Sequence, residues 1–402
     1  MSPGNFTRRS FLKTSILTGI SALTSKTIFA KDKTYLDEDK KKNIIKRKLG
    51  KTGIELPIVS FGVMRADNPE LIHEAIKEGI IYFDTAHSYQ RGKNEEMLGE
   101  VFQNYPRDSF VISTKVEPES YDKRTGELGK NVTKQAFLDK LDISLKRLKM
   151  DYVDILYIHN LMTREAVLFP ELLEAVIIAK KSGKAKHIGF STHRNEPVTI
   201  KAAIESGVYE VVLTSVNFMQ EHLLEVRKAI AEAAKAGIGI VAMKTMAGGF
   251  WDKERTKPIN CKAALKFVLQ DENITTAIPG SSNFEQLKIN SSVNYDLALT
   301  DEELQDLQIK QSVGSLYCQG CGKCIPNCTK ELPIPDIMRA YMYAYGYRDL
   351  QLANSLLKEL NLSENPCNDC SICSVQCSQN FQVSERVKDV SRILSIPEEF
   401  IV

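Results

Sequence analysis

The sequence predicts an α/β chain: a closed (β/α)8 TIM barrel followed by a small, mainly α-helical domain rich in cysteine. Three observations carry this. Eight short, nearly continuous apolar runs alternate with amphipathic helical runs over about 250 residues, the length and rhythm of such a barrel. No GxGxxG follows the first run, which argues against an open doubly wound sheet. Eight of the nine cysteines stand in two copies of one spacing, "CQGCGKCIPNC" at 318–328 and "CNDCSICSVQC" at 367–377.

The expected organisation is a leader at 1–30, a linker at 31–45, the barrel at 46–311 and the cysteine-rich domain at 312–402. The leader contains "TRRSFLK" and then a weakly apolar stretch, too short and too polar to span a membrane. It resembles a twin-arginine export signal, ending near Ala30. That resemblance implies a periplasmic or extracytoplasmic protein, exported already folded and meeting the membrane only in transit. Charge is nearly balanced, with 53 basic and 51 acidic residues, so nothing suggests a nucleic-acid partner. The basic run "KKKNIIKRK" at 40–48 reads as a solvated approach to the first core strand.

The expected strands are "PIVSFGVM" (57–64), "IYFDTA" (81–86), "SFVISTK" (109–115) and "DILYIH" (154–159). They continue with "HIGFST" (187–192), "EVVLTSVN" (210–217), "IGIVAMK" (238–244) and "TTAIPG" (275–280). Continuous apolar runs suit parallel strands covered on both faces. Between them, 134–150 shows the clearest helix. Phe137, Leu141, Leu145 and Leu148 form one stripe, and Thr133 is placed as N-cap. The helix at 225–237 ends on Gly237.

Barrel chemistry gathers at the C-terminal ends of the strands. Four polar residues fall there on successive strands: Asp84, Tyr89, Lys115 and His159. Their chemistry is coherent. A phenol is a poor acid at neutral pH, and a nearby ammonium favours its ionised form. A carboxylate holds the ammonium in place, and a histidine orients a carbonyl oxygen. This set suits proton transfer beside a carbonyl undergoing reduction.

The region from 46 to 311 resembles the aldo-keto reductase family. The resemblance rests on "RKLGKTGIELPIVSFG", on "FDTAHSY" with the trailing "NEEMLG", and on "STK", "YIH", "IGFST" and "VAMKTMAGG". It implies carbonyl–alcohol interconversion by hydride transfer. Tyr89 is then the general acid/base, Lys115 the group that tunes it, Asp84 the partner of Lys115 and His159 the substrate orienter. It also implies NAD(P)H, touching Ser191, Thr192, Asn217, Lys244, Gly280, Ser281 and Asn290. Several family positions differ. Thr192 replaces an asparagine, Leu213 a glutamine and Met243 the tyrosine that stacks on the nicotinamide. In "IPGSSNFEQLKIN", Gly280 replaces a lysine, Gln286 an arginine and Ile289 a glutamate. A 2′-phosphate favours an arginine fork, and none is evident, so the choice between NADH and NADPH stays open. The loops after the fourth and seventh strands are expected to shape the substrate pocket; their Phe169, Phe250 and Trp251 read first as loop packing, with contact to an apolar part of the substrate as the alternative.

Cys318, Cys321, Cys324 and Cys328 make C-x2-C-x2-C-x3-C, and Cys367, Cys370, Cys373 and Cys377 repeat it. Disulfides, zinc and iron–sulfur clusters compete as readings. Three thiolates at spacing three wrap one side of a cube and a distant fourth completes it, which favours two [4Fe–4S] clusters. The tail resembles an α-helical two-cluster ferredoxin domain, although Thr329 and Ser378 stand where a proline is usual. The resemblance implies crossed ligation. Cys377 joins Cys318, Cys321 and Cys324, and Cys328 joins Cys367, Cys370 and Cys373. The expected activity is therefore an exported oxidoreductase acting on a small carbonyl or alcohol and exchanging electrons with a redox partner protein. The alternative is a non-catalytic barrel that serves as a binding module on an electron-transfer subunit.

Overall fold

The computed structural model describes residues 43–252, 254–308, 316–368, 370 and 372–401. The twin-arginine motif and the expected 311/312 boundary lie outside them. The described residues fall in one compact unit.

Twelve strands are described: β1 (Lys46–Lys48), β2 (Glu55–Pro57), β3 (Phe61–Gly62), β4 (Tyr82–Asp84), β5 (Val111–Val116), β6 (Tyr121–Asp122), β7 (Glu127–Leu128), β8 (Val153–Ile158), β9 (Ala185–Thr192), β10 (Val211–Ser215), β11 (Gly239–Met243) and β12 (Thr276–Ala277). Eight of them form one parallel sheet in the order β12-β11-β10-β9-β8-β5-β4-β3. The ring closes where Val59 bridges Ala277, with Ser60 N–H donating to Ala277 O at 2.8 Å and Ala277 N–H to Ile58 O at 2.8 Å. All eight expected strands are present, β3, β4 and β12 much shorter than their expected spans and the others close to theirs. Every residue of β8, β10 and β11 is buried, as strands covered on both faces require.

Two apolar layers hold the barrel. Inside it, Leu49, Leu56, Tyr82, Ile155, Tyr157, Leu213, Val241 and Met243 pack together. Outside it, the helices bury their stripes on the strands. Helix Lys134–Leu148 is capped by Thr133, whose side chain accepts from Ala136 N–H, and it buries Phe137, Leu141, Leu145 and Leu148. Helix Leu223–Ala236 ends on Gly237 at φ 91°.

The antiparallel pair β1–β2 stands outside the ring and was not expected. It corrects the reading of the basic run as wholly solvated. Arg47 reaches back to Leu269 O at 2.8 Å, Asp271 O at 3.1 Å and Ile274 O at 2.6 Å. Those carbonyls lie at and beyond the end of helix Cys261–Leu269, where a guanidinium satisfies acceptors that the helix end leaves unpaired.

The cysteine-rich tail builds its own core from helices Ile334–Tyr341, Leu350–Glu359 and Val383–Ser391. A π-helical turn, Met342–Gly346, continues the first of these. Its wider winding sorts the tyrosines into pairs. Tyr341 and Tyr345 lie 4.5 Å apart by ring centroids, and Tyr343 stacks on Tyr347 at 5.6 Å.

Candidate functional site

Asp84 ends β4, Lys115 lies next to last in β5, and His159 directly follows β8. Parallel register sets them side by side, since Asp84 is level with Ser113 and Lys115 with Tyr157. Tyr89 arrives on a short 3-10 turn whose next residues, Gln90, Arg91 and Gly92, all have positive φ. Such backbone persists only when its surroundings impose it. Here they do. Gln90 donates to Met64 O at 3.2 Å, and Asn94 is locked to Val63 O and Thr85. A Cβ on Gly92 would lie 2.3 Å from the Arg147 guanidinium. The trailing Glu95 and Gly99 serve this scaffold: Glu95 accepts from Thr114 and Arg147, and Gly99 lets its helix touch the Arg147 carbonyl.

Lys115 is the hub. Its Nζ donates to Asp84 at 2.5 Å, to Thr85 O at 2.7 Å and to Tyr89 Oη at 3.2 Å. Asp84 also accepts from Ser113 Oγ at 2.7 Å. Burial alone would lower the Lys115 pKa, but Asp84 and Tyr89 hold it above the ordinary lysine value, so it stays charged. For Tyr89 the expectation of a lowered pKa is corrected. Burial raises the phenol, Lys115 opposes this, and Asp84 and the tail residue Tyr343 add to the rise. The phenol is therefore held protonated as a donor.

The His159 ring meets Tyr89 edge-on with centroids 6.1 Å apart. Burial, then Lys115, Lys123, Arg339 and Lys244, push its pKa well below the usual value. It is neutral at pH 7, and its buried Nδ1 has no protein partner. An unpaired buried ring nitrogen beside a phenol suits a group that binds a substrate oxygen.

The residues expected to contact a dinucleotide are mostly engaged by the protein itself. Ser191 Oγ accepts from Asn160 N–H at 2.9 Å, and Thr192 Oγ1 donates to Arg194 O at 2.9 Å. Asn217 Nδ2 donates to Gln319 Oε1 of the tail at 3.0 Å. The Lys244 ammonium lies 5.3 Å from the Tyr343 ring centroid and 5.8 Å from that of Tyr347. Ser281 and Asn290 bond each other at 3.0 Å, and only Gly280 of this group is exposed. At its catalytic end, then, a dinucleotide does not fit the arrangement present. Of the loop aromatics, Trp251 is buried edge-on against Phe218, Phe250 stacks on Arg255, and Phe169 packs on the outer core.

Several residues at this mouth were missed. Arg194 and the tail residue Asp336 form a buried ion pair at 3.4 Å, and Arg339 joins Asp336 at 3.3 Å. The sequence separation of 142 between Arg194 and Asp336 left no local signal.

All nine cysteines are free thiols. Burial pushes Cys318 up to about 12, and Cys324, Cys321 and Cys377 push the same way, so these four are neighbours. Cys367 is likewise raised by burial and by Cys370, Cys373 and Cys328. That second group lines a cavity of about 130 Å³. Backbone N–H groups of Gly320 and Gln379 donate to Cys318 and Cys377 sulfur at 3.4 Å. Among the described residues, no three His, Cys, Asp or Glu side chains converge to hold a single metal ion. Cys261 stands apart at a helix start, its thiol also raised by burial.

Comparison with known proteins agrees with this fold. The family model described as "Aldo/keto reductase family" matches residues 59–263, and the cysteine-rich tail lies beyond it. The chain is 26% identical over 297 residues to the uncharacterized oxidoreductase YqkF of Bacillus subtilis, covering 65% of this chain and 95% of that protein. It is 34% identical over 164 residues to L-glyceraldehyde 3-phosphate reductase of Escherichia coli K12, covering 37% and 46%. In fold it is similar to the aldo-keto reductase AKR11C1 from Bacillus halodurans, with TM-score 0.54 and 24% identity over 68% of this chain and 98% of that one. The eight-stranded barrel and the matched residues together show that this chain is an oxidoreductase belonging to the aldo/keto reductase family.

Proposed function

We propose that this enzyme interconverts a small carbonyl compound and its alcohol outside the cytoplasm, coupled to electron transfer through two [4Fe–4S] clusters in its tail. The observation that carries the carbonyl chemistry is Lys115, which bridges Asp84 and Tyr89 beside His159 at the barrel mouth. In the reducing direction a hydride from a separate two-electron donor at the same rim bonds to the carbonyl carbon, the C=O π bond opens, and Tyr89 Oη gives its proton to the carbonyl oxygen. Lys115, kept charged by Asp84, steadies the phenolate that remains. Neutral His159 donates a hydrogen bond to the same oxygen and orients it. In the oxidising direction Tyr89 takes the proton back.

The donor set supports the cluster reading. The thiols fall into the two foursomes that crossed ligation requires: Cys318, Cys321, Cys324 with Cys377, and Cys367, Cys370, Cys373 with Cys328. A cube bonds one thiolate per iron, so its sulfurs ring it and need not meet on one atom. When assembled, each cluster carries electrons singly, which suits exchange with a redox partner protein. "TRRSFLK" supports export by the twin-arginine route. A non-catalytic barrel is not favoured, because the acid/base set is complete and the chain belongs to an enzyme family.

Tyr89→Phe tests the reading. Carbonyl turnover by the anaerobically reconstituted chain falls at least about 100-fold, the scale of a lost general acid, with the cluster spectrum unchanged. Turnover equal to wild type contradicts it.

A further inference from the structure

A carbonyl held by Tyr89 and His159 can be reduced only by a donor against the same rim, because hydride passes between atoms in contact. That rim is covered by the tail. Gln319 takes the Asn217 amide, and Tyr343 and Tyr347 present their rings to the Lys244 ammonium. Arg65 donates to Tyr347 O at 3.2 Å and stacks on its ring at 4.9 Å. Tyr343 is only 8% exposed, and Asp336 is fully buried against Arg194. The tail is thus a specifically bonded cover over the barrel mouth.

At the far end of the expected dinucleotide site, polar side chains bond to one another. Gln286, which stands where the resembled family has an arginine, accepts from Ser282 N–H at 2.9 Å, and Asn290 donates to Ser281 Oγ at 3.0 Å.

We infer that the tail segment 319–347 takes the place of the nicotinamide end of NAD(P)H, so that the folded chain does not bind a dinucleotide at its barrel mouth. The inference rests on the reading of Tyr89 and His159 as the reacting rim, but it concerns different residues and a binding property. Gln319, Tyr343 and Tyr347 act as a built-in occupant. Freeing the seat for any hydride donor, and so turnover itself, requires undocking the tail, which separates Asp336 from the Arg194 guanidinium.

NADH and NADPH are titrated calorimetrically into the anaerobically reconstituted full chain, wild type and the variants Gln319→Ala and Tyr343→Ala/Tyr347→Ala. The wild type shows no binding up to about 1 mM, and saturating nucleotide leaves its Tm unchanged. The double variant, checked by its iron content and melting curve, gains nucleotide affinity by at least about tenfold. Wild-type binding at one nucleotide per chain with Kd below about 100 µM overturns the inference. So does a folded double variant that binds no better than wild type, since occlusion then is not what excludes the nucleotide. If the double variant fails to fold, the milder Gln319→Ala carries the same comparison: a gain in affinity supports occlusion, and no gain overturns it. Failure of the carbonyl reading appears separately, as turnover indifferent to Tyr89→Phe, and leaves the titration to stand alone.

Discussion

Tyr89 shows why the balance of effects at one residue has to be weighed in place. An ammonium at 3.2 Å pulls a phenol toward ionisation, and the sequence makes that neighbour visible. The depth of the site is set by chain far from Tyr89, and burial outweighs the ammonium. The same burial governs the histidines. His87, lowered to about 4 by burial and then by Arg147, and His159, also lowered by burial, are neutral when folded at pH 7 and titrate near 6.5 when unfolded. Between those values the unfolded chain binds more protons, so stability rises with pH and is lost as pH falls below about 6.5. His222, raised by its bond to buried Glu196, works the opposite way but is a single group. Melting curves from pH 7.5 to 5 check this: Tm drops on acidification, and substituting His87 by Asn flattens part of the slope. A Tm that rises toward pH 5 contradicts it.

At the scale of elements, the barrel was legible because its strands are largely buried runs and its clearest helix is a capped apolar stripe. Thr133, Gly237 and the stripe from Phe137 to Leu148 all sit as the local pattern requires. The β1–β2 pair was not legible, because "KRK" shows no apolar alternation and Arg47 is fixed by carbonyls more than 200 residues away. Nor was the use of Asn217 and Lys244. Their partners Gln319, Tyr343 and Tyr347 belong to another element, and no spacing within the barrel announces them. Gly248 marks that junction. It sits at φ 111°, and an added Cβ would lie 2.3 Å from the Tyr317 ring. Gly248→Ala should therefore loosen the tail, by backbone strain of about 1–3 kcal/mol and by direct collision. Limited trypsin digestion reads this as faster cleavage within 316–401 while the barrel persists. An unchanged digest means the contact does not hold the tail.

Across the whole molecule, barrel and tail are joined by charge as well as by rings. Asp336 is buried between Arg194 and Arg339, Lys123 meets Glu359 at 2.6 Å, and Glu221 receives both Lys323 and Gln379 from beside the two cysteine runs. Asp336→Asn leaves buried Arg194 and part-buried Arg339 uncompensated and should cost about 3–5 kcal/mol, measured as a lower urea midpoint. A cost below about 1 kcal/mol would mean that water or movement already relieves the pair. The repeat of the cysteine spacing was the most legible feature of the chain; the fold adds that Cys377 lies near Cys318 and Cys328 near Cys367. The most direct test is an iron and acid-labile sulfide count on anaerobically purified protein, wild type and Cys377→Ala. Two cubes give about eight irons and eight sulfides per chain, and the variant, deprived of one ligand set, gives about four of each. Wild-type protein free of iron, or a variant that keeps its full iron, contradicts the account.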